Sequence, residues 1–299
     1  MEGQIIAKHF QLKEKIGIGA FSEIWKATHL KTNQEVAVKF DELGSMRQTL
    51  YSECKIYLWF HAEAENVDFK IPEVYYYGIE GDRDVMIMDL LGPSLEELLE
   101  KCGGKFSLKT VLMCIEQMLQ SVEYIHKRRI IHRDIKPADF TIGVGETANR
   151  VFIIDFGSGK SYTNKQGEHV YYSDGKPVKC TPRFGSINTH LGVEQTRRDD
   201  MESAGYVFIY LLKGELPWQN MKARSAEEKY NKIKEKKIFL KVSELCKKIP
   251  VEFAQYMDYC RKMKFSDEPD YEYLRGLFRD LFKKEKFEFD YKYDWVEKS

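Results

Sequence analysis

His132-Arg133-Asp134-Ile135-Lys136-Pro137-Ala138-Asp139 follows the short apolar run Ile130-Ile131 and, before it, the segment Ser107 to His126. In that segment Val111, Cys114, Ile115, Met118, Leu119, Val122 and Ile125 recur with a period near 3.6, which predicts an amphipathic helix. A polar loop placed after such a helix can present Asp134 as acceptor for the proton of an attacking hydroxyl. Lys136 can offset negative charge developing on a transferred group. Downstream, the apolar strand Val151-Phe152-Ile153-Ile154 leads into Asp155-Phe156-Gly157. Asp155 offers hard oxygen donors of the kind Mg²⁺ takes.

Upstream, Gly17-Ile18-Gly19-Ala20-Phe21-Ser22 nearly matches G-x-G-x-x-G, with serine at the third glycine. A dinucleotide fingerprint must lead from a strand into a helix. Here Glu23 to Thr28 alternates with period two and reads as a strand, so the pattern is strand, turn, strand. An ordinary glycine hairpin has this pattern, and so does a flap whose N–H groups approach a triphosphate. Glu35 to Phe40 is the next alternating strand and carries Lys39, which can pair with nucleotide phosphates. Lys39 needs a carboxylate to hold it. Glu53, on a helix expected from Met46 to Phe60, is the candidate, with Glu14, Glu23 and Glu35 as alternatives. Leu50, Cys54, Tyr57 and Leu58 are expected on one side of that helix. Val74 to Tyr77 and Asp84 to Met88 complete a small sheet.

After Gly92-Pro93 the character changes. Ser94 is a good N-cap, with Glu96 and Glu97 in the first turn. Helices are expected at Asp199 to Leu212, Ala226 to Lys234 and Val251 to Met263, and the lysine-rich run Lys229 to Lys241 reads as a solvated face. A β-rich first third followed by helices suggests two lobes.

The 299 residues balance 47 Lys+Arg against 47 Asp+Glu, with 43% hydrophobic residues. That is a globular composition, and zero net charge argues against a broadly cationic nucleic-acid binder. Six cysteines without a C-x-x-C pair suggest reduced thiols rather than a zinc site or a disulfide framework. The start has no long apolar core for a signal peptide, and Ala204 to Leu212 falls short of the ~20 residues of a spanning helix.

A glycine flap, V-A-V-K, H-R-D and D-F-G in this order are the protein-kinase set. The sequence resembles the eukaryotic protein kinases, and among them the casein kinase 1 family. That family carries S-I-N where most protein kinases have A-P-E, and here it is Ser186-Ile187-Asn188. Leu90 to Leu95, Glu194 to Asp200, Leu216-Pro217-Trp218-Gln219 and Tyr271 to Arg275 also match, and the similarity runs from about Phe10 to Trp295.

The resemblance implies an α+β, bilobal protein-kinase fold. Residues 1–89 would form an N-lobe, a small antiparallel sheet with one helix, and residues 90–299 a larger, mainly helical C-lobe. It implies a serine/threonine kinase using ATP with Mg²⁺, or Mn²⁺. Ile16, Gly17, Gly19 and Ile24 would cover ATP, Ala37 would flank the adenine, Met88 would be the gatekeeper, and Asp89 and Leu91 would offer hinge backbone groups. Lys39 would contact phosphates and pair with Glu53. Asp134 would be the catalytic base, Lys136 the phosphoryl stabiliser, and Asp155 the main metal ligand. Thr181 would brace the catalytic loop, Asp200 would anchor its backbone, and Arg183 would serve a substrate anion site. Protein substrates, acidic or phosphorylated, are expected, with no nucleic acid and no membrane span. A monomer in the cytoplasm, the nucleus or both is expected.

Three departures bear on activity. Asp139 stands where the pattern has the asparagine that binds a second metal. A carboxylate still binds metal, but it adds charge near Asp134 and Asp155 and lacks the amide's donor. Reduced or metal-sensitive transfer is therefore expected, and a nucleotide-binding scaffold is the alternative function. Second, Ala226 and Glu227 occupy positions where the family has anion-binding basic residues. Arg224 and Lys222 are possible substitutes, and weaker dependence on primed substrates is expected. Third, Ser22 tolerates its position if φ is negative, while Gly157 and Gly159 should loosen the stretch after Asp155.

Overall fold

The fold was taken from a computed structural model that describes residues 1–18, 22–42, 49–62 and 71–296, the side chains of Glu42 and Thr49 excepted. Gly19 and the expected helical start at Met46 lie outside the described residues. The chain forms two compact units, Met1–Pro93 with Thr141–Ser158, and Ser94–Phe140 with Gly159–Ser299.

The first unit holds six antiparallel strands: β1 (Ile5–Ile6), β2 (Phe10–Ile18), β3 (Ser22–His29), β4 (Glu35–Glu42), β5 (Val74–Glu80) and β6 (Arg83–Asp89). Their order is β1-β2-β3-β4-β6-β5. Period-two alternation sends Leu12, Ala27, Val36, Val38, Phe40, Val85 and Ile87 into one buried cluster. The opposite face carries Ile24, Ala37, Lys39 and Met88. The register sets Ile24 opposite Lys39, and Ala37 opposite Met88.

One helix, α1 (Thr49–Ala62), serves this unit. Leu50, Glu53, Cys54, Tyr57 and Phe60 are its buried residues. Leu58, expected inward, is 50% exposed. The helical period brings Phe60, three residues past Tyr57, to the inner face and turns Leu58 out.

In the second unit lie α2 (Leu95–Lys101), α3 (Leu108–Lys127), β7 (Ile130–Ile131) and Phe140, the first residue of β8 (Phe140–Ile142). Strands β8 and β9 (Val151–Ile153) pair with each other, as do β7 and β10 (Lys160–Ser161). Then come α4 (Ile187–His190), α5 (Arg197–Lys213), α6 (Ala226–Phe239), α7 (Val242–Leu245), α8 (Val251–Lys262) and α9 (Tyr271–Lys284). Ser94 caps α2 in a capping box, accepting from the Glu97 N–H at 3.2 Å and donating its own N–H to Glu97 Oε2 at 2.7 Å. Ser107 likewise caps α3 rather than belonging to it. Helix α5 is buried almost throughout, and ends at Gly214 with φ 82°. A Cβ there would lie 2.5 Å from the Gly104 carbonyl, so only glycine fits.

An antiparallel sheet with one helix, and a mainly helical second unit, give the expected α+β class. Two further expectations need correction. Helix α6 continues past Lys234 to Phe239, and its lysine run is not uniformly solvated, because Lys237 is 0% exposed. The six cysteines are free. No helix among the described residues is long and apolar enough to cross a membrane.

Candidate active site

Lys39 projects from β4 beside α1. Its Nζ lies 2.7 Å from Glu53 Oε2 and 3.3 Å from Asp155 Oδ1. Of the alternative partners, Glu23 is occupied by Lys15 and Arg83, and Glu35 by Lys26. Burial works against the lysine charge, but Glu53 and Asp155 together hold the ammonium above the ordinary lysine range.

Asp155 has φ 67°, a left-handed conformation that Asp tolerates better than most residues. Its N–H donates to Tyr57 Oη at 3.1 Å, and the neighbouring Phe156 ring packs edge-on against Tyr57 and Phe60. Tyr57 lies one helical turn after Glu53, so one face of α1 sets both groups that meet Lys39. Phe156–Ser158 forms a 3-10 turn, and neither Gly157 nor Gly159 takes a positive φ. Ser22 begins β3 in extended conformation.

The other expected nucleotide contacts of this unit lie along the same sheet. Gly17 pairs with Ile24 across the β2–β3 register. Ile16 is 45% exposed, whereas Ala37 and Met88 are buried. The Asp89 N–H is spent on Glu73 O at 3.0 Å, so its carbonyl is the candidate for a ligand. Beyond Leu91, the chain is tied to β8 by Gly92 N–H to Ile142 O at 2.8 Å and Ile142 N–H to Pro93 O at 3.1 Å.

In the second unit Lys136 Nζ lies 3.0 Å from Asp134 Oδ2 and 2.9 Å from Asp139 Oδ1. Asp134 Oδ1 also accepts the Thr181 N–H. The contact of Thr181 with Asp134 is thus made by its backbone. Asp139 is 2% exposed, at the end of the 3-10 turn Pro137–Asp139.

Beneath this loop, Asp200 accepts the N–H groups of His132 at 2.7 Å and Arg133 at 2.9 Å. These bonds hold Arg133 at φ 71°, a conformation unfavourable for a long side chain. Burial opposes the Asp200 charge, but the bond from His126 and the backbone donors outweigh it and keep the carboxylate below its ordinary range. Burial pushes the His126 imidazole down. A neutral ring donates Nε2–H to Asp200 at 3.0 Å and accepts Tyr271 O–H at Nδ1 at 2.8 Å.

Arg183 is not joined to the segment after Trp218. Its guanidinium lies 3.4 Å from Glu96 and over the Phe184 and Tyr210 rings. Arg224 and Ser225 instead cap α6 with Glu228. A basic cavity of ≈ 210 Å³ lies elsewhere in this unit, lined by Arg133, Lys160, Lys176 and Lys179 with Glu194. Lys160 and Glu194 are paired at 3.0 Å.

Sequence reasoning missed this cavity, the Tyr57 bond to Asp155, and the His126–Tyr271 support of Asp200. Each joins segments far apart in the chain. Tyr57 had a signal in its spacing from Glu53.

Among the described residues no three His, Cys, Asp or Glu side chains form a closed metal site. Asp155 in the first unit and Asp139 in the second each carry carboxylate oxygens, the donor type that hard cations take. The donor chemistry fits the metal-assisted phosphoryl transfer of protein kinases. The Protein kinase domain family model matches residues 10–279, most of the chain. ATP and a divalent cation are what such a domain uses, and proteins are what it acts on. The chain belongs to the protein kinase family.

Proposed function

We propose that the protein is an active serine/threonine kinase of casein kinase 1 type, transferring the ATP γ-phosphate to acidic proteins. The observation that carries this is the Asp134 carboxylate, which the Thr181 N–H and Lys136 orient from two sides. In the transfer step the substrate hydroxyl oxygen bonds to the γ-phosphorus as the bridging bond to the β-phosphate breaks. ADP leaves, and the hydroxyl proton passes to Asp134. Lys136 offsets charge on the moving phosphoryl group, and Lys39, held by Glu53, takes the α- and β-phosphates. Mg²⁺, with Mn²⁺ as a substitute, neutralises phosphate charge when bound, with Asp155 and Asp139 as its protein ligands.

The sheet face bearing Ile24, Ala37 and Met88 takes the adenine. Acidic substrates are supported by the basic cavity of Arg133, Lys160, Lys176 and Lys179. Arg183, already facing Glu96, and Ala226 support weak dependence on priming. The free cysteines favour a reducing compartment, cytoplasm or nucleus, and a single chain suffices for these roles.

A second reading, a scaffold that binds nucleotide without useful transfer, draws on the 2.9 Å Lys136–Asp139 pair, which holds the phosphoryl stabiliser back. Labelled ATP, Mg²⁺ and casein test both readings. Label on serine or threonine, lost in Asp134→Asn, supports the kinase. ATP binding without label supports the scaffold. A primed peptide phosphorylated far faster than its unprimed twin, with the difference erased by Arg183→Ala, contradicts the weak priming dependence.

A further inference from the structure

Ile233 and Lys237, one helical turn apart, are the buried residues of α6. Lys236 beside them is exposed. Lys237 Nζ lies 2.8 Å from Pro182 O, 2.5 Å from Gly185 O and 3.3 Å from His190 Nε2. It also stands over the Tyr206 and Trp218 rings, at 4.7 and 5.0 Å from their centroids. An ammonium has three N–H donors, and here two carbonyl oxygens and two π faces meet it, beside an imidazole nitrogen that also lies 3.2 Å from Pro182 O. Glu202 accepts from Tyr206 Oη at 2.6 Å and faces Arg261 at 3.9 Å, so it supports this charge only from a distance. A buried cation with backbone carbonyls as its main partners has a specific job, since an apolar residue would fill the space without the desolvation cost.

The carbonyls it holds belong to one tight turn. The Phe184 and Gly185 N–H groups donate to Thr181 O at 2.9 and 3.0 Å. Trp218 Nε1 donates to Arg183 O at 2.8 Å. A Cβ at Gly185 would come within 2.3 Å of Cys180 Sγ, so the thiol is packed directly against the turn. The residue that opens this turn, Thr181, gives its N–H to Asp134.

We propose that Lys237 is a positioning residue for the protein-substrate site, its ammonium clamping Pro182 and Gly185 so that the turn presents Thr181 to Asp134. This rests on the kinase reading above. It explains why a lysine, and not a leucine, continues the buried stripe of α6. Around Lys237 stand Cys180 from the turn, His190 from α4, Glu202 and Tyr206 from α5, and Arg261 from α8. Burial pushes its ammonium down to about 7, with Cys180 and Glu202 working against that and Arg261 adding to it. A neutral amine has two donors in place of three, so the clamp weakens as pH rises past neutrality.

The test uses the full chain with ATP, Mg²⁺ and an acidic peptide. Lys237→Met is expected to lower kcat/KM for the peptide about tenfold, the equivalent of one charge-assisted bond, with KM for ATP within about twofold. Iodoacetamide should label Cys180 faster in this variant, and Lys237→Arg should restore part of both properties. Wild-type peptide KM should rise from pH 7 to 8.5, and the rise should be absent in Lys237→Met. A folded Lys237→Met with wild-type peptide kinetics and wild-type Cys180 labelling overturns the proposal. If that variant does not fold, the wild-type pH profile and Lys237→Arg decide: a flat profile with an unaltered Arg variant overturns it, and a rise in peptide KM with the pH profile displaced in the Arg variant upholds it. If the wild type transfers no phosphate above the Asp134→Asn background, the kinase reading fails. Cys180 labelling then decides the clamp alone, faster labelling in either variant upholding it and unchanged labelling overturning it.

Discussion

Lys39 in the first unit and Lys136 in the second each bridge two carboxylates, and in each pair one carboxylate is buried and the other accessible. Lys39 lies between Glu53, with a side chain 3% exposed, and Asp155, at 44%. Lys136 lies between Asp139, at 2%, and Asp134, at 23%. In both the buried carboxylate lies closer to the lysine, and the other is more exposed to solvent. The sets differ in what the kinase pattern provides: a glutamate is expected behind Lys39, whereas an amide is expected at position 139. The second unit thus sets a buried carboxylate against its lysine, as the first unit does.

The largest effect should come from breaking the first set. Lys39→Met leaves Glu53 buried without its cation, a change that costs about 3–5 kcal/mol when one partner of a buried pair is removed. Turnover should fall by about 10²-fold or more with the loss of a phosphate contact. Thermal melts and steady-state rates check both. Adding Glu53→Leu should recover much of the melting temperature and none of the turnover. Recovery of both would mean that Lys39 only balances a charge.

Asp139→Asn should make the second set resemble the expected pattern. It frees Lys136 from one carboxylate at nearly constant volume. Mg²⁺-supported turnover should rise about fivefold, equivalent to ~1 kcal/mol of ion pairing, and the Mn²⁺ to Mg²⁺ rate ratio should change. Equal rates for both proteins in both metals would show that the Lys136–Asp139 contact is idle.

A smaller effect contrasts these charged sets with a buried group that stays neutral. Burial, reinforced by Lys237, pushes the His190 imidazole down to about 3. In the unfolded chain it titrates near 6.5. Between these values the unfolded chain takes up a proton that the folded chain refuses. Stability from this site is therefore complete above about pH 6.5 and falls as the pH drops toward 3. His190→Gln should flatten that part of the stability profile. An unchanged acid limb would place the imidazole in contact with water.

Local spacing made much of this legible. Alternation in Glu35 to Phe40 put Lys39 opposite the core residues, and the order of H-R-D and D-F-G singled out Asp134 and Asp155, which pair with Lys136 and Lys39. What escaped was tertiary. Leu58 and Phe60 are both apolar, and only the packing of α1 shows which one turns inward. Lys237 sits in a run of lysines, where charge predicts solvent, and nothing local reveals the carbonyls of a turn about fifty residues earlier. The role of Asp139 was visible as a substitution, but its bond to Lys136 required the loop's geometry.

In the proposed kinase Asp134 drives phosphoryl transfer although Asp139 shares its lysine. The most direct measurement is γ-phosphate transfer to an acidic peptide by wild type and Asp134→Asn, with ATP binding measured on the same preparations. Transfer by the wild type, reduced about 10²–10⁴-fold in the variant at equal ATP affinity, is the predicted result. Equal transfer by both proteins, or ATP binding with no transfer by either, would contradict it.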